Sequence, residues 1–229
     1  MPTRSARYQV PIPDLSFELD LLTSGARHIA GVDEAGRGSW AGPVYAATVL
    51  LDREILLDPG ALAGVRDSKL LSPQRRDRAF DRILQAAVAV GVSSVEARLV
   101  DRLGVVEATR QAMLQALDSL PIRPDAVIVD AVQLPPESEY HGIHHSFNHA
   151  DRKCLTVAAA SICAKVSRDR DMIRRSARYP GYGFETNMGY GTLRHRAALE
   201  RLGLCAIHRR SFRPMRESLL CVEKVASVV

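Results

Sequence analysis

Short apolar runs, broken by glycine and proline, alternate along this chain with longer stretches of helical periodicity. Ile29 to Asp33 and Val44 to Leu51 read as strands joined through a glycine-rich turn into a hairpin. Val88 to Val95 reads as a third strand. Asp125 to Asp130 (DAVIVD) is an apolar run ending in an acid, the pattern of a buried strand that delivers a carboxylate at its end. Gly142 to Asn148 reads as a fifth. Between them, Ser72-Pro73 opens a helix to about Ala87, with serine at the cap and proline at the first helical position. A second helix is predicted from Val100 to Leu120, with apolar residues at 103, 106, 113, 114 and 117 on one side. A long one follows from Leu155 to about Ala177. Leu155, Ala158, Ala159, Ile162, Val166 and Ile173 share a face, whose alanines allow close approach to a sheet, and Tyr179-Pro180-Gly181 stops the helix. Thr192 caps a helix to Leu202, with Gly203 as its exit.

The chain starts with a proline-interrupted tail, residues 1–13, and Asp14 caps a short helix through Leu22. Residues 52–69 and 181–191 read as loops, and a final apolar helix follows HRRSFRPMR (208–216). Strands with interposed helices, then mostly helices, give an α/β sheet with a helical C-terminal elaboration. Residues 1–25 form the tail and short helix, and residues 26–229 one domain whose elaboration begins near 180.

Ordinary proportions of apolar residues (46%) and charge (25%) over 229 residues provide a sizeable core. No apolar run approaches the roughly 20 residues that span a bilayer, and the N-terminus lacks the apolar core of a signal peptide; the expectation is a cytoplasmic protein. Cys154, Cys163, Cys205 and Cys221 form no CxxC pair, so buried free thiols are expected rather than structural zinc. Charge is distributed unevenly. Lys plus Arg against Asp plus Glu is 15 against 20 over residues 1–151 and 15 against 4 over residues 152–216. Arginine dominates the basic segment, and its planar fork suits phosphate, which points to nucleic acid as partner.

The stretch GVDEAGRGSWAGPV, Gly31 to Val44, concentrates the candidate chemistry. Asp33 and Glu34 sit in or at the lip of a buried strand, where carboxylates are costly unless a cation or hydrogen bonds compensate them. Gly36-Arg37-Gly38 follows, a flexible backbone carrying a fixed positive charge. Asp130 ends another strand, and Asp151 stands before the long helix. Oxygen-only ligands select hard cations such as Mg²⁺ or Mn²⁺, and converging carboxylates would suit two metals about 4 Å apart in phosphodiester cleavage.

The string GVDEAGRG-x-x-AGPV resembles the first motif of the ribonuclease HII family, the prokaryotic type 2 ribonucleases H. DSKLL (67–71), the Asp130 strand end, AAASICAKVSRDR (158–170), GYGT (189–192) and HRRSF (208–212) agree in the same order, so the resemblance covers roughly residues 28–215. It implies the ribonuclease H-like fold, a mixed five-stranded sheet flanked by helices with a helical C-terminal region. It also implies a metal-dependent endoribonuclease that cuts the RNA strand of RNA–DNA hybrids. The same enzyme would nick duplex DNA 5′ to single embedded ribonucleotides, leaving 3′-hydroxyl and 5′-phosphate ends.

Carried over by motif, Asp33, Glu34, Asp130 and Asp151 are the expected catalytic metal ligands for Mg²⁺ or Mn²⁺. Gly36, Arg37 and Gly38 match the loop whose backbone meets the 2′-hydroxyl, and Tyr190 matches a tyrosine that stacks on a sugar. Ser68, Lys69, Lys165, His208 and Arg209 are further substrate-binding candidates, each with an equal structural alternative: loop anchoring for Ser68 and Lys69, helix packing and a salt bridge for Lys165 as for Arg168 and Asp169, and a structural hydrogen bond for His208 and Arg209. The cluster His141, His144, His145 and His149 reads as a polar loop. The expected partner is an RNA–DNA hybrid or a ribonucleotide-containing duplex, bound by a monomer.

The chain departs from the family pattern at Ala131-Val132 (usually Gly-Asn), at Asn187-Met188 (usually His-Lys) and at Ser39-Trp40. The first two changes keep in play a non-catalytic hybrid-binding protein; a DNA nuclease of the same general fold is a second rival, against which the Gly36-Arg37-Gly38 loop and Tyr190 argue.

Overall fold

The computed structural model describes residues 13–58 and 60–216. Helix α1 (Ser16–Thr23) precedes a hairpin of β1 (His28–Ala35) and β2 (Val44–Asp52). Then come α2 (Arg53–Leu57), α3 (Pro73–Ala86), β3 (Ala89–Val95), α4 (Ala97–Leu103), α5 (Val105–Asp118), β4 (Ala126–Asp130) and β5 (His144–Phe147). The long α6 (Leu155–Ser176), the short α7 (Phe184–Asn187) and α8 (Leu193–Leu202) complete it. The strands form one mixed sheet in the order β3-β2-β1-β4-β5, antiparallel across β3-β2-β1 and parallel across β1-β4-β5.

Period-2 alternation divides β1 between two cores. Ile29 packs with α6 on one face, and Ala30 and Val32 pack with α5 on the other. Gly31 lies under α6, where an added Cβ would stand 2.1 Å from the backbone carbonyl carbon of Thr156. The strand at the centre of the sheet is thus glycine at the point where the longest helix crosses it. A third core joins Ala41 and Met172 to the C-terminal α7–α8 region through Phe184, Ala198 and Met215. Helix α1 is tied in by Glu18, fully buried, whose Oε1 accepts from the Thr156 N–H and hydroxyl at the start of α6, both at 3.0 Å. Among the described residues no helix is long and apolar enough to cross a membrane.

Several boundaries differ from expectation. The helix predicted over 100–120 is two helices, because Gly104 takes a positive φ of 80° between them. Leu103 and Val106, placed on the apolar face by periodicity, are consequently exposed, and Ala108, Ala112 and Ala116 take the buried positions. Ile173 is likewise exposed near the end of α6. Helix α2 and a 3-10 turn (Ser68–Leu70) lie within the predicted 52–69 loop, and α7 lies within the 181–191 loop. Ser72 and Thr192 cap α3 and α8 as expected, accepting from the N–H groups of Arg75 and His195. The tail up to residue 12, Cys221 and the final apolar helix lie outside the described residues.

Gly31→Ala is expected to cost about 3 kcal/mol of unfolding free energy, the upper end for an overpacked core, because the obstruction is helix backbone. Urea denaturation reads this as a lowered midpoint at unchanged slope. A midpoint equal to wild type would show that α6 does not rest on this glycine.

Candidate active site

The sheet brings the acids together through register. Val32 pairs with Val129 in the parallel β1-β4 ladder, so the next residues along, Asp33 and Asp130, are neighbours at the same end. Alternation from Ile29 and Ile128 puts both on the α6 face, whereas Glu34 starts toward the other. Asp130 Oδ1 accepts from the Ala150 N–H at 2.8 Å, fastening to this strand end the 3-10 turn Ala150–Arg152 that carries Asp151. Asp33 and Asp151 are both buried.

Burial raises the Asp33 pKa well above the carboxylate range, and the charges of Glu34 and Asp130 add to it. Asp151 is raised by burial, then by Asp67 and Asp130. Glu34 is raised by burial but opposed by Arg37, whose Nη1 lies 3.2 Å from Oε1. Lys69 extends from the 3-10 turn into this field. Burial alone would lower its pKa, yet the carboxylates of Asp33, Asp67, Asp151 and Asp130 more than offset that and hold it above the usual lysine value.

Among the described residues no three His, Cys, Asp or Glu side chains are drawn tightly enough together to hold an ion as they stand. The donor chemistry nevertheless fits a divalent cation. Glu34 Oε2 and Asp151 Oδ1 are buried oxygens without a hydrogen-bond partner, the condition a hard cation relieves, whereas Asp67 Oδ2 faces the Arg152 guanidinium at 3.5 Å.

Beside the acids, three segments are laced together. The Trp40 and Ala41 N–H groups donate to the Gly189 carbonyl at 2.8 and 3.2 Å, the Gly42 N–H to Ile207, and the Arg209 N–H to Trp40. Gly189, at φ 79°, has no room for a Cβ, which would fall 2.3 Å from the Ala41 oxygen.

Two fully buried guanidiniums hold this knot without a carboxylate partner among the described residues. Arg168 donates from Nε to Pro43 O (3.0 Å) and from Nη2 to Ser39 Oγ (2.7 Å) and Ala41 O (3.2 Å), and its Cζ lies 5.3 Å from the Tyr190 ring centroid. A Cβ on Gly36 would strike Arg168 Nε at 2.0 Å. One side chain therefore sets both the Gly36 loop and Tyr190. Arg209 donates to Gly42 O and Arg37 O. Burial lowers both arginine pKa values, and the Arg168 charge helps bring Arg209 to about 9.

The histidine His208 does not face solvent. Its Nδ1 accepts from the Cys205 N–H at 2.9 Å, so its Nε2 carries the proton and donates to His195 Nε2 at 3.0 Å. His195 Nδ1 then donates to the Tyr190 carbonyl at 2.9 Å. This tautomer assignment follows from the hydrogen bonds and leaves neither ring an acceptor to spare. Burial, then His195, lowers the His208 pKa to about 4, and burial lowers that of His195.

The candidate residues thus divide. Asp33, Glu34, Asp130, Asp151 and Lys69 share one field of charge. Arg37 and Tyr190 are half-buried at the rim, and Gly38 is exposed. Of the two readings open for His208, Arg209 and Ser68, their burial and internal hydrogen bonds favour the structural one, with Ser68 against the Ser161 hydroxyl at 2.8 Å. Lys165 is held by Asp169 at 2.7 Å with its ammonium 5.6 Å from the Tyr190 ring centroid. Of the histidine cluster, His144 binds His141 O and Gln133.

Residues missed by sequence reasoning are Asp67, already visible in DSKLL, and His195, which no motif flagged. Asn187 also has a role of its own: its side chain links Tyr182 O to the Gly189 N–H, bracing the turn before Tyr190. Ala131 sits at φ 55° directly after Asp130, a left-handed conformation that costs a non-glycine residue about 1–2 kcal/mol.

Residues 30–215 match the family model described as Ribonuclease HII. The chain is 48% identical to a Ribonuclease HII of Chloroflexus aurantiacus over 93% of its own length and 99% of the relative's. Its fold is similar to the crystal structure of ribonuclease H2 from Pyrococcus horikoshii OT3, with a TM-score of 0.75 at 29% identity, covering 86% of this chain and 99% of that one. It also resembles Bst-RNase HIII, solved in complex with Mn²⁺. That likeness, with a TM-score of 0.65 at 20% identity over 87% and 71% of the two chains, is one of fold alone.

The His208–His195 pair makes stability depend on pH. Between pH about 6.5 and about 4 the unfolded chain protonates His208 while the folded one does not, so stability is lost as pH falls through that window. Urea unfolding from pH 7 to 4.5 should show a declining free energy, with a shallower decline in His208→Gln. Parallel declines in the two proteins would remove the pair as the cause.

Proposed function

The chain belongs to the ribonuclease HII family, and from that premise we propose how its own residues serve the cleavage of RNA in RNA–DNA hybrids. The enzyme is a metal-dependent endoribonuclease of the type 2 ribonuclease H class. We assign the metal-holding role to Asp33, Glu34, Asp130 and Asp151, with Mg²⁺ or Mn²⁺ as the hard cation that an all-oxygen donor set selects. When bound, such ions lower the pKa of an attacking water and offset the charge on the departing 3′-oxygen. The reading is supported above all by the β1-β4 register, which sets Asp130 beside Asp33, with Asp151 hung from Asp130 through the Ala150 N–H.

Around those acids the chain orients substrate. Lys69 offers an ammonium at the carboxylate edge, where a scissile phosphate also needs a cation. Gly38 supports a ribose-reading role for its loop: it is exposed, its φ is not positive, and a Cβ there would meet nothing within 4 Å. Neither packing nor backbone geometry within the protein calls for glycine at that point, whereas close approach of a sugar does. Arg37 is held by Glu34 through its side chain and by Arg209 through its carbonyl. Tyr190, set by Arg168 and His195, offers a ring face for the neighbouring sugar. Recognition would then rest on the 2′-hydroxyl and duplex shape rather than base sequence. The same arrangement suits nicking 5′ to a single ribonucleotide in duplex DNA, leaving 3′-hydroxyl and 5′-phosphate ends, by a monomer in the cytoplasm.

The test is a labelled duplex with one ribonucleotide beside an all-deoxy control, each with Mg²⁺, Mn²⁺ or EDTA. Wild type should nick only the first, and only with metal. Asp33→Asn should lose at least about 100-fold in turnover, more than outer-shell changes at metal sites cost, while binding the duplex as before. Cleavage of the all-deoxy duplex, or an Asp33→Asn enzyme at full rate, would refute the assignment.

A further inference from the structure

Outside the catalytic cluster, a cavity of about 320 Å³ opens between the turn at residues 63–66 and α3. Arg66, Arg75, Arg78 and Arg82 line it over a floor that includes the buried Leu71 and Ala79, and no acid is among its lining residues. Arg75, Arg78 and Arg82 follow one another at helix spacing along a single stripe, where like charges repel. Among the described residues none of the four is in an ion pair. The contrast with their neighbours is sharp: Arg76 on the same helix pairs with Asp169, and Asp77 is taken by Arg170. Arg82 Nη1 donates to the carbonyl of Ala63, another residue of the cavity lining.

Four guanidiniums around one concavity, without an ion-pair partner among the described residues, favour an anion that accepts several N–H bonds at once. Phosphate has that geometry, and arginine's planar fork matches it. The cavity adjoins the catalytic edge: Leu71 in its floor directly follows the Ser68–Leu70 turn that carries Lys69. A strand whose scissile phosphate lies at Lys69 and the carboxylates would thus carry other phosphates toward these arginines.

We propose that this cavity is a phosphate-binding subsite that grips the nucleic-acid backbone beyond the cleaved ribonucleotide. This rests on the ribonuclease reading above for its substrate, though not for its chemistry. The subsite adds affinity and salt dependence without discriminating sequence, and it lies outside the strongly basic segment of residues 152–216. Its contribution is binding that is equal in ground and transition states, so it acts on KM and not on kcat.

The test compares wild type with Arg75→Ala/Arg78→Ala/Arg82→Ala on a long duplex containing one ribonucleotide, across a salt series. Wild-type nicking at the ribonucleotide checks the ribonuclease reading by itself. The variant is expected to keep kcat, to raise KM about tenfold, and to reduce the slope of log affinity against log salt by at least about 0.9, one phosphate contact. Thermal unfolding with added pyrophosphate forms the second arm. If pyrophosphate stabilises wild type but not the variant while KM and salt slope are the same in both, the cavity takes a free phosphate instead, and the backbone assignment is overturned. If no measurement separates the two proteins, there is no phosphate subsite.

Discussion

Repulsion among carboxylates is the constraint around which this molecule is arranged. The parallel pairing of β1 with β4 puts Asp33 beside Asp130, and the turn fastened to Asp130 adds Asp151. Burial and mutual charge raise the pKa of Asp33 and Asp151. Such a cluster costs folding free energy unless cations face it. Within the chain, Lys69 and Arg37 supply part of that charge and leave buried oxygens of Glu34 and Asp151 without partners. The rest of the sheet tolerates this edge because its centre is well packed, with α6 lying directly on Gly31.

The second arrangement of charge is the reverse of the first. Arg168 and Arg209 are buried cations bonded to backbone carbonyls and a hydroxyl rather than to acids among the described residues, with Arg168 Nη1 and Arg209 Nη2 left without a hydrogen-bond partner. Their work is mechanical: Arg168 ties residues 39–43 to Tyr190, and Arg209 ties residues 37 and 42 to the 205–209 segment, so that together they gather these loops into one rim. The His208–His195 chain ends on the carbonyl of Tyr190, so the rim tyrosine is positioned through its backbone by a histidine and through its ring by an arginine. Departures at Asn187 and Ala131 fit into this scheme differently. Asn187 builds the turn before Tyr190 by hydrogen bonds, whereas Ala131 leaves a strained backbone beside a candidate metal ligand.

Much of this was legible in the sequence because it depends on local pattern. Alternation and glycine placement located the hairpin, and DAVIVD announced a buried strand with an acid at its end. Gly104 was misjudged because helical periodicity runs on either side of it, and nothing in the one-dimensional pattern registers a positive φ. The arginines were harder. A guanidinium that clamps carbonyls and one that binds phosphate have the same letter, so Arg209 read equally as a substrate contact and as a structural hydrogen bond, although it is buried. Counting charge over residues 1–151 gave a net acidic segment and concealed six basic residues against three acids within residues 66–82. Tertiary pairing, as between Arg175 and Glu96 or Arg170 and Asp77, also removes much of the excess from the basic segment.

The account depends on the strand-end acids forming one cation site, and metal binding tests that apart from turnover. Titration with Mn²⁺, followed by calorimetry, should show saturable binding to wild type. The Asp33→Asn/Asp130→Asn protein, with an unchanged circular dichroism spectrum, should lose at least about tenfold in affinity. Equal affinities in the two folded proteins would contradict it.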